Sequence, residues 1–115
     1  MLSKSNRLQK KKDFDVVFKK GRGIKEDFLF LKIINNNLKD SRFGFIIPNK
    51  VLKKATQRNR IKRKLREWIK NNIIQIQKGQ DIVLMVNSFS KEKENNLENT
   101  LKNIFLKAKL YASNW

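Results

Sequence analysis

The chain contains no cysteine and no histidine. The first absence excludes disulfide stapling and thiolate metal sites, and it implies no oxidising compartment. The second removes the side chain most often used for acid–base work near neutral pH. Acids are scarce as well, with 10 Asp plus Glu against 28 Lys plus Arg. They are scattered and form no recognisable metal cluster. Asp13 and Asp15 stand two apart, so on a helix they do not face each other. A protein-borne two-metal hydrolytic site is therefore not expected. No uninterrupted apolar run is long enough to span a bilayer. The opening "MLSKSNRLQKKKDF" has charge with no apolar signal region behind it. A soluble cytoplasmic location is the expectation.

What remains is an unusual amount of positive charge on an otherwise ordinary globular composition. The length of 115 residues fits one domain, and 39% hydrophobic with 10% aromatic residues suffices for a core. The net charge of +18 is too large for a solubility device. It calls for a polyanion, namely RNA, DNA or an anionic membrane.

Residues Met1 to Lys12 are polar and basic, and are expected to be mobile or extended. Asp13 is placed to cap a short helix with Phe14, Val17 and Phe18 on one side. Gly21 ends that helix. "FLFLKII", Phe28 to Ile34, reads as a buried strand. "RFGFII", Arg42 to Ile47, reads as the next one, closed by Pro48. The two are expected to pair as an antiparallel hairpin across the "NNNLKDS" loop. Gly79 and Asp81 mark a turn before the short strand Ile82 to Val86. Leu97, Leu101, Ile104, Phe105 and Ala108 recur at helical spacing, with Tyr111 and Trp115 beyond. With an extra short strand near Ile24, the order is α-β-β-β-α-β-α. That describes an α+β fold, an α/β sandwich with a single mixed sheet of about four strands and three helices. The piece from Phe43 to Val86 forms a parallel crossover, which the general rule makes right-handed.

The densest charge lies in "QRNRIKRKLREWIKNNI", Gln57 to Ile73. Ile61, Leu65, Trp68, Ile69 and Ile73 form a helical apolar stripe. Asn59, Arg63, Arg66 and Lys70 lie opposite, with Arg58 and Lys62 on one flank and Lys64 on the other. Glu67 is the single acid among seven bases. An ordinary surface helix mixes both signs and gains from i, i+4 pairs, which this one forgoes. Phosphates of a partner would cancel the repulsion and release counterions. Arginine at 58, 60, 63 and 66 suits bidentate contacts. A membrane-surface helix would need the apolar stripe that the core also needs.

"RNRIKRKLRE", Arg58 to Glu67, resembles the signature of the bacterial ribonuclease P protein subunit. "NRLQKKKDFDVVFKKG" resembles that family's first helix, "SRFGFIIPNK" its strand before the basic helix, and "GQDIVLMVN" and "LKNIFLKAKLY" its last strand and last helix. The resemblance covers nearly the whole chain in order. The family often has two lysines before the basic helix, and here the pair reads Asn49-Lys50.

The resemblance implies a ribosomal-protein-like sandwich whose crossover is the unusual left-handed one. It implies an accessory subunit of an endoribonuclease that removes the 5′ leader of precursor tRNA, with the active site in the RNA subunit. Arg58, Asn59, Arg60, Lys62, Arg63 and Arg66 would then face the RNA subunit. Phe14, Phe18, Phe28 or Phe30, and Lys50 would line a cleft for the leader, where single-stranded bases stack. Phe28 and Phe30 are expected to share a face. Taken without the resemblance, Phe14 and Phe18 at i, i+4 read as ordinary core. Magnesium is implied as an ion held mainly by RNA. The implied partners are the RNA subunit and precursor tRNA, with no membrane and no obligate protein partner. The alternatives are a structural RNA-binding protein of ribosomal type and a DNA-binding module inserting its basic helix in the major groove.

Overall fold

The computed structural model describes residues 2–111, so Trp115 lies outside the described residues. After a short 3-10 turn, Lys4–Asn6, the elements run α1 (Lys11–Lys20), β1 (Arg22–Glu26), β2 (Leu29–Asn35), β3 (Arg42–Ile46), α2 (Ala55–Asn72), β4 (Gln80–Val86), α3 (Lys91–Asn95) and α4 (Leu97–Lys107). The fold is α+β with a single mixed sheet of four strands in the order β1-β2-β4-β3. β1 with β2 and β2 with β4 are antiparallel, and β3 with β4 is parallel.

The expected hairpin between the second and third strands does not form, because β4 inserts between them. The reason lies in side-chain chemistry. A central strand must be apolar on both faces. β4 qualifies, with Ile82, Val83 and Leu84 fully buried. β3 carries Arg42 and Gly44 and takes an edge. The actual hairpin joins β1 to β2 through Asp27 and Phe28, with Asp27 in the left-handed region at φ 53°. That region is one that Asp tolerates better than most residues. Gly79 makes the turn before β4 at φ 77°. Asp81, expected in the turn, is inside β4 and buried.

The two sheet faces are covered unequally. Leu29, Leu31 and Ile33 of β2 and Ile82, Leu84 and Val86 of β4 point into one core with Ile61, Leu65 and Ile69 of α2 and Leu101, Ile104 and Phe105 of α4. The other face meets α1 and the segment before it, through Val17 and Leu8 packed with Val83. Ten helical residues span about 15 Å, too little to roof four strands.

Three further expectations change. Asp13 is not the cap of α1. Lys10 stands there without a side-chain hydrogen bond, and Asp13 sits in the first turn, drawn to Arg42 at 3.3 Å. The N-terminal segment is seated, not free, because Leu2 and Leu8 are buried. Leu8 also donates its N–H to the Phe43 carbonyl at 2.9 Å. Finally, the three expected helices become four: the expected last helix is α4, and the short α3 precedes it. Ser90 caps α3 by accepting from the Lys93 N–H at 3.2 Å, and α4 begins after Asn96.

Candidate nucleic-acid interface

α2 exposes most of what the sequence placed on its outer face. Ile61, Leu65 and Ile69 are wholly buried, and Trp68 is partly buried between Phe105 and Tyr111. Asn59, Arg63 and Lys70 are exposed, and Lys62 and Arg66 are half-buried. The seven bases do not all wait for a partner. Arg58 Nη1 donates to the carbonyls of Leu52 and Lys53, each at 2.8 Å. That guanidinium braces the loop before the helix, so its hydrogen bonds point inward to protein. Arg66 lies over the Phe45 ring, 5.7 Å from its centroid.

The contact that the sequence hid is Glu94 of α3. It receives the Arg60 guanidinium through both carboxylate oxygens and the Lys64 ammonium at 2.6 Å. These hydrogen bonds, Arg60's first and Lys64's second, hold the Glu94 carboxyl down to about 2 from an ordinary 4.5. Arg60 is 34 residues from Glu94 and Lys64 is 30, so no i, i+4 pattern announces the clasp. Among the described residues, Lys62, Arg63 and Lys70 make no ion pair or side-chain hydrogen bond, and they remain as free positive charge.

A depressed acid stabilises the fold above its unfolded pKa, and that contribution is lost as pH falls through the folded value. The clasp's share of stability should therefore decline between about pH 4.5 and 2. Glu94→Gln should flatten that part of the stability–pH curve, read from denaturation midpoints. Parallel curves for the two proteins would contradict the clasp.

The second surface is the thinly covered sheet face. Phe14 and Phe18 are half-buried there, packed with Ile34, Ile46 and Met85 around Val17 and Val83. Phe30 points to this face, opposite Met85 in the register. Phe28 does not. It occupies the hairpin turn, outside the strand's alternation, and packs edge-on against Phe89 in the main core, with ring centroids 6.0 Å apart. The expectation that Phe28 and Phe30 share a face fails because a period-two argument applies only within a strand. Lys32 Nζ reaches from this face to the Phe18 carbonyl at 3.1 Å, a cation at the C-terminal end of α1. Lys50 and Asn49 are exposed in the loop before α2.

Residues 2–109 match the family model described as Ribonuclease P. The chain belongs to that family. It is 38% identical to the ribonuclease P protein component of Pseudanabaena sp. (strain PCC 6903), over 99% of this chain and 100% of that one. The Staphylococcus aureus RNase P protein superposes with a TM-score of 0.85 at 27% identity, covering 95% of this chain and 100% of that one. The Thermotoga maritima RNase P protein gives 0.70 at 30% identity, covering 89% and 93%. No helix among the described residues is long and apolar enough to cross a membrane. Nor do three metal-ligating side chains converge among them.

Proposed function

We propose that this ribonuclease P protein binds the catalytic RNA with the outward face of α2 and carries the 5′ leader of precursor tRNA across the α1 face of the sheet. Cleavage chemistry belongs to the RNA. The observation that carries this reading is the unequal cover of the sheet. One face is a finished core that anchors a basic helix. The other keeps Phe14, Phe18 and Phe30 half-exposed, in reach of unpaired bases. A structural RNA-binding protein of ribosomal type would need the first surface and not the second.

Within this reading Arg63, Asn59 and Lys62 meet RNA phosphates directly, while Arg60 must exchange Glu94 for phosphate. Arg58 acts by shaping the loop that precedes the helix and carries Lys50. Magnesium, which the family resemblance implies, would be held by RNA phosphates. The scattered carboxylates of this chain suit no dedicated cage of oxygen ligands.

The purified protein should leave precursor tRNA intact. Adding the RNA subunit at modest magnesium should restore 5′ cleavage. Cleavage of precursor tRNA without RNA subunit would overturn the reading. Ribosomal RNA, recovered with the protein from its own cells in place of the ribonuclease P RNA, would favour the structural alternative.

Phe18→Ala tests the leader surface separately. It should weaken the holoenzyme for precursor tRNA by about 1–3 kcal/mol, the scale of one lost stacking platform. Mature tRNA should bind as before. Equal weakening of both RNAs, together with a large fall in melting temperature, would return Phe18 to ordinary core.

A further inference from the structure

A hollow of about 310 Å³ opens beside the edge of β3, between the basic helix and the α1 face, with Arg7, Phe14, Gly44, Phe45 and Arg66 in its walls. No acid lines it. Among the described residues neither guanidinium in it has an ionic partner. The Arg66 guanidinium carbon lies 5.7 Å from the Phe45 ring centroid, and Arg66 lines the hollow. Arg7 is delivered by the segment before α1, pinned to β3 by the bond between the Leu8 N–H and the Phe43 carbonyl. Its Nε is buried with no hydrogen-bond partner. A buried unpaired donor is costly, and an acceptor brought to it would relieve that cost.

Gly44 keeps the hollow open. A Cβ there would stand 2.5 Å from the Phe14 ring. With hydrogen in its place the ring settles against the strand instead of projecting across the gap.

Two unpaired guanidiniums, exposed aromatic surface and no carboxylate suit a ligand with a flat ring and a negative charge. Arginine planes and aromatic rings both accept stacked bases in single-stranded RNA recognition. We propose that this hollow holds one unpaired ribonucleotide, its base stacked on the Arg66 guanidinium beside Phe14 and its phosphate on Arg7. The site rests on the reading above only for where the nucleotide comes from. It adds the N-terminal segment, absent from the sequence expectations, to the binding surface and joins the basic face to the aromatic one.

The test uses the reconstituted holoenzyme with Arg7→Gln. Affinity is measured for precursor tRNA and mature tRNA, and for the RNA subunit with protein alone, over a range of salt. About a tenfold loss is expected, the scale of one charge-assisted hydrogen bond. The slope of log affinity against log salt should become shallower by about 0.7, one phosphate contact to a single strand. The melting temperature should not fall, since Arg7 gives no side-chain bond in the free protein and its buried Nε is unpaired. Loss confined to precursor tRNA assigns the nucleotide to the leader. Loss in the RNA-subunit measurement assigns it to the catalytic RNA. Both support the site. Unchanged affinity and slope in all three measurements would overturn it. Phe18 does not line the hollow, so Phe18→Ala reports on the leader surface alone. A leader-specific loss there beside an unaffected Arg7→Gln would sink the nucleotide site and leave the broader reading standing.

Discussion

Arg42→Met should destabilise the domain by about 3 kcal/mol, the low end of the range for breaking a buried ion pair from one side. Arg42 and Asp81 are direct register partners on β3 and β4. Arg42 Nε donates to Asp81 Oδ1 at 2.9 Å and Nη2 donates to Oδ2 at 2.6 Å. Asp81 is only 5% exposed. Without Arg42 its carboxylate keeps one side-chain donor, Asn36 Nδ2 at 2.9 Å. The low end applies because Arg42 keeps 24% of its side chain in contact with solvent. Arg42→Met combined with Asp81→Leu should recover much of the loss, since the unpaired charge goes too. Denaturant titration of the three variants measures this. A single-variant loss below about 1 kcal/mol would place the pair among ordinary surface bridges. Function should suffer in parallel, because Arg42 also reaches Asp13 and so ties α1, with Phe14 and Phe18, to the sheet edge.

Leu65→Ala should cost about 2–5 kcal/mol, the range for a large-to-small change in a closed core. Leu65 is fully buried between Ile61 and Ile69 on the stripe by which α2 is anchored. Arg63→Ala, two positions away, should leave stability within about 0.5 kcal/mol, as a surface change does. It should weaken binding to the RNA subunit by about 1–3 kcal/mol, the scale of lost hydrogen bonds to charged groups. The pair is informative as a contrast. One residue holds the helix, and the other is what the helix presents. Unfolding by Arg63→Ala, or an unchanged midpoint for Leu65→Ala, would mean that the faces of α2 are reversed.

Those faces were legible because helical periodicity is local. Ile61, Leu65 and Ile69 recur every four residues, and the backbone alone puts them on one side. The charge excess was legible for the same reason, since composition needs no coordinates. The α+β class and the parallel return from β3 to β4 also followed from strand and helix signals taken in order. Strand order did not. It depends on which strand can tolerate burial on both faces, and that competition is settled between segments dozens of residues apart. Phe28 was misplaced because a two-residue turn at Asp27 and Phe28 takes it out of the alternation that governs Phe30. Arg58 looked like one more outward base until its carbonyl partners in the preceding loop came into view.

The sequence by itself determined the polyanion preference, the anchoring stripe of α2 and the order of most elements, since each depends on neighbours in the chain. Only the tertiary structure decided that Glu94 clasps Arg60 and Lys64, that Asp81 neutralises Arg42, and that Arg7 stands with Arg66 beside the edge of β3. Coulombic and hydrogen-bond partners are chosen by distance in space, and here the chain separation between the ion-paired partners runs from 30 to 39 residues.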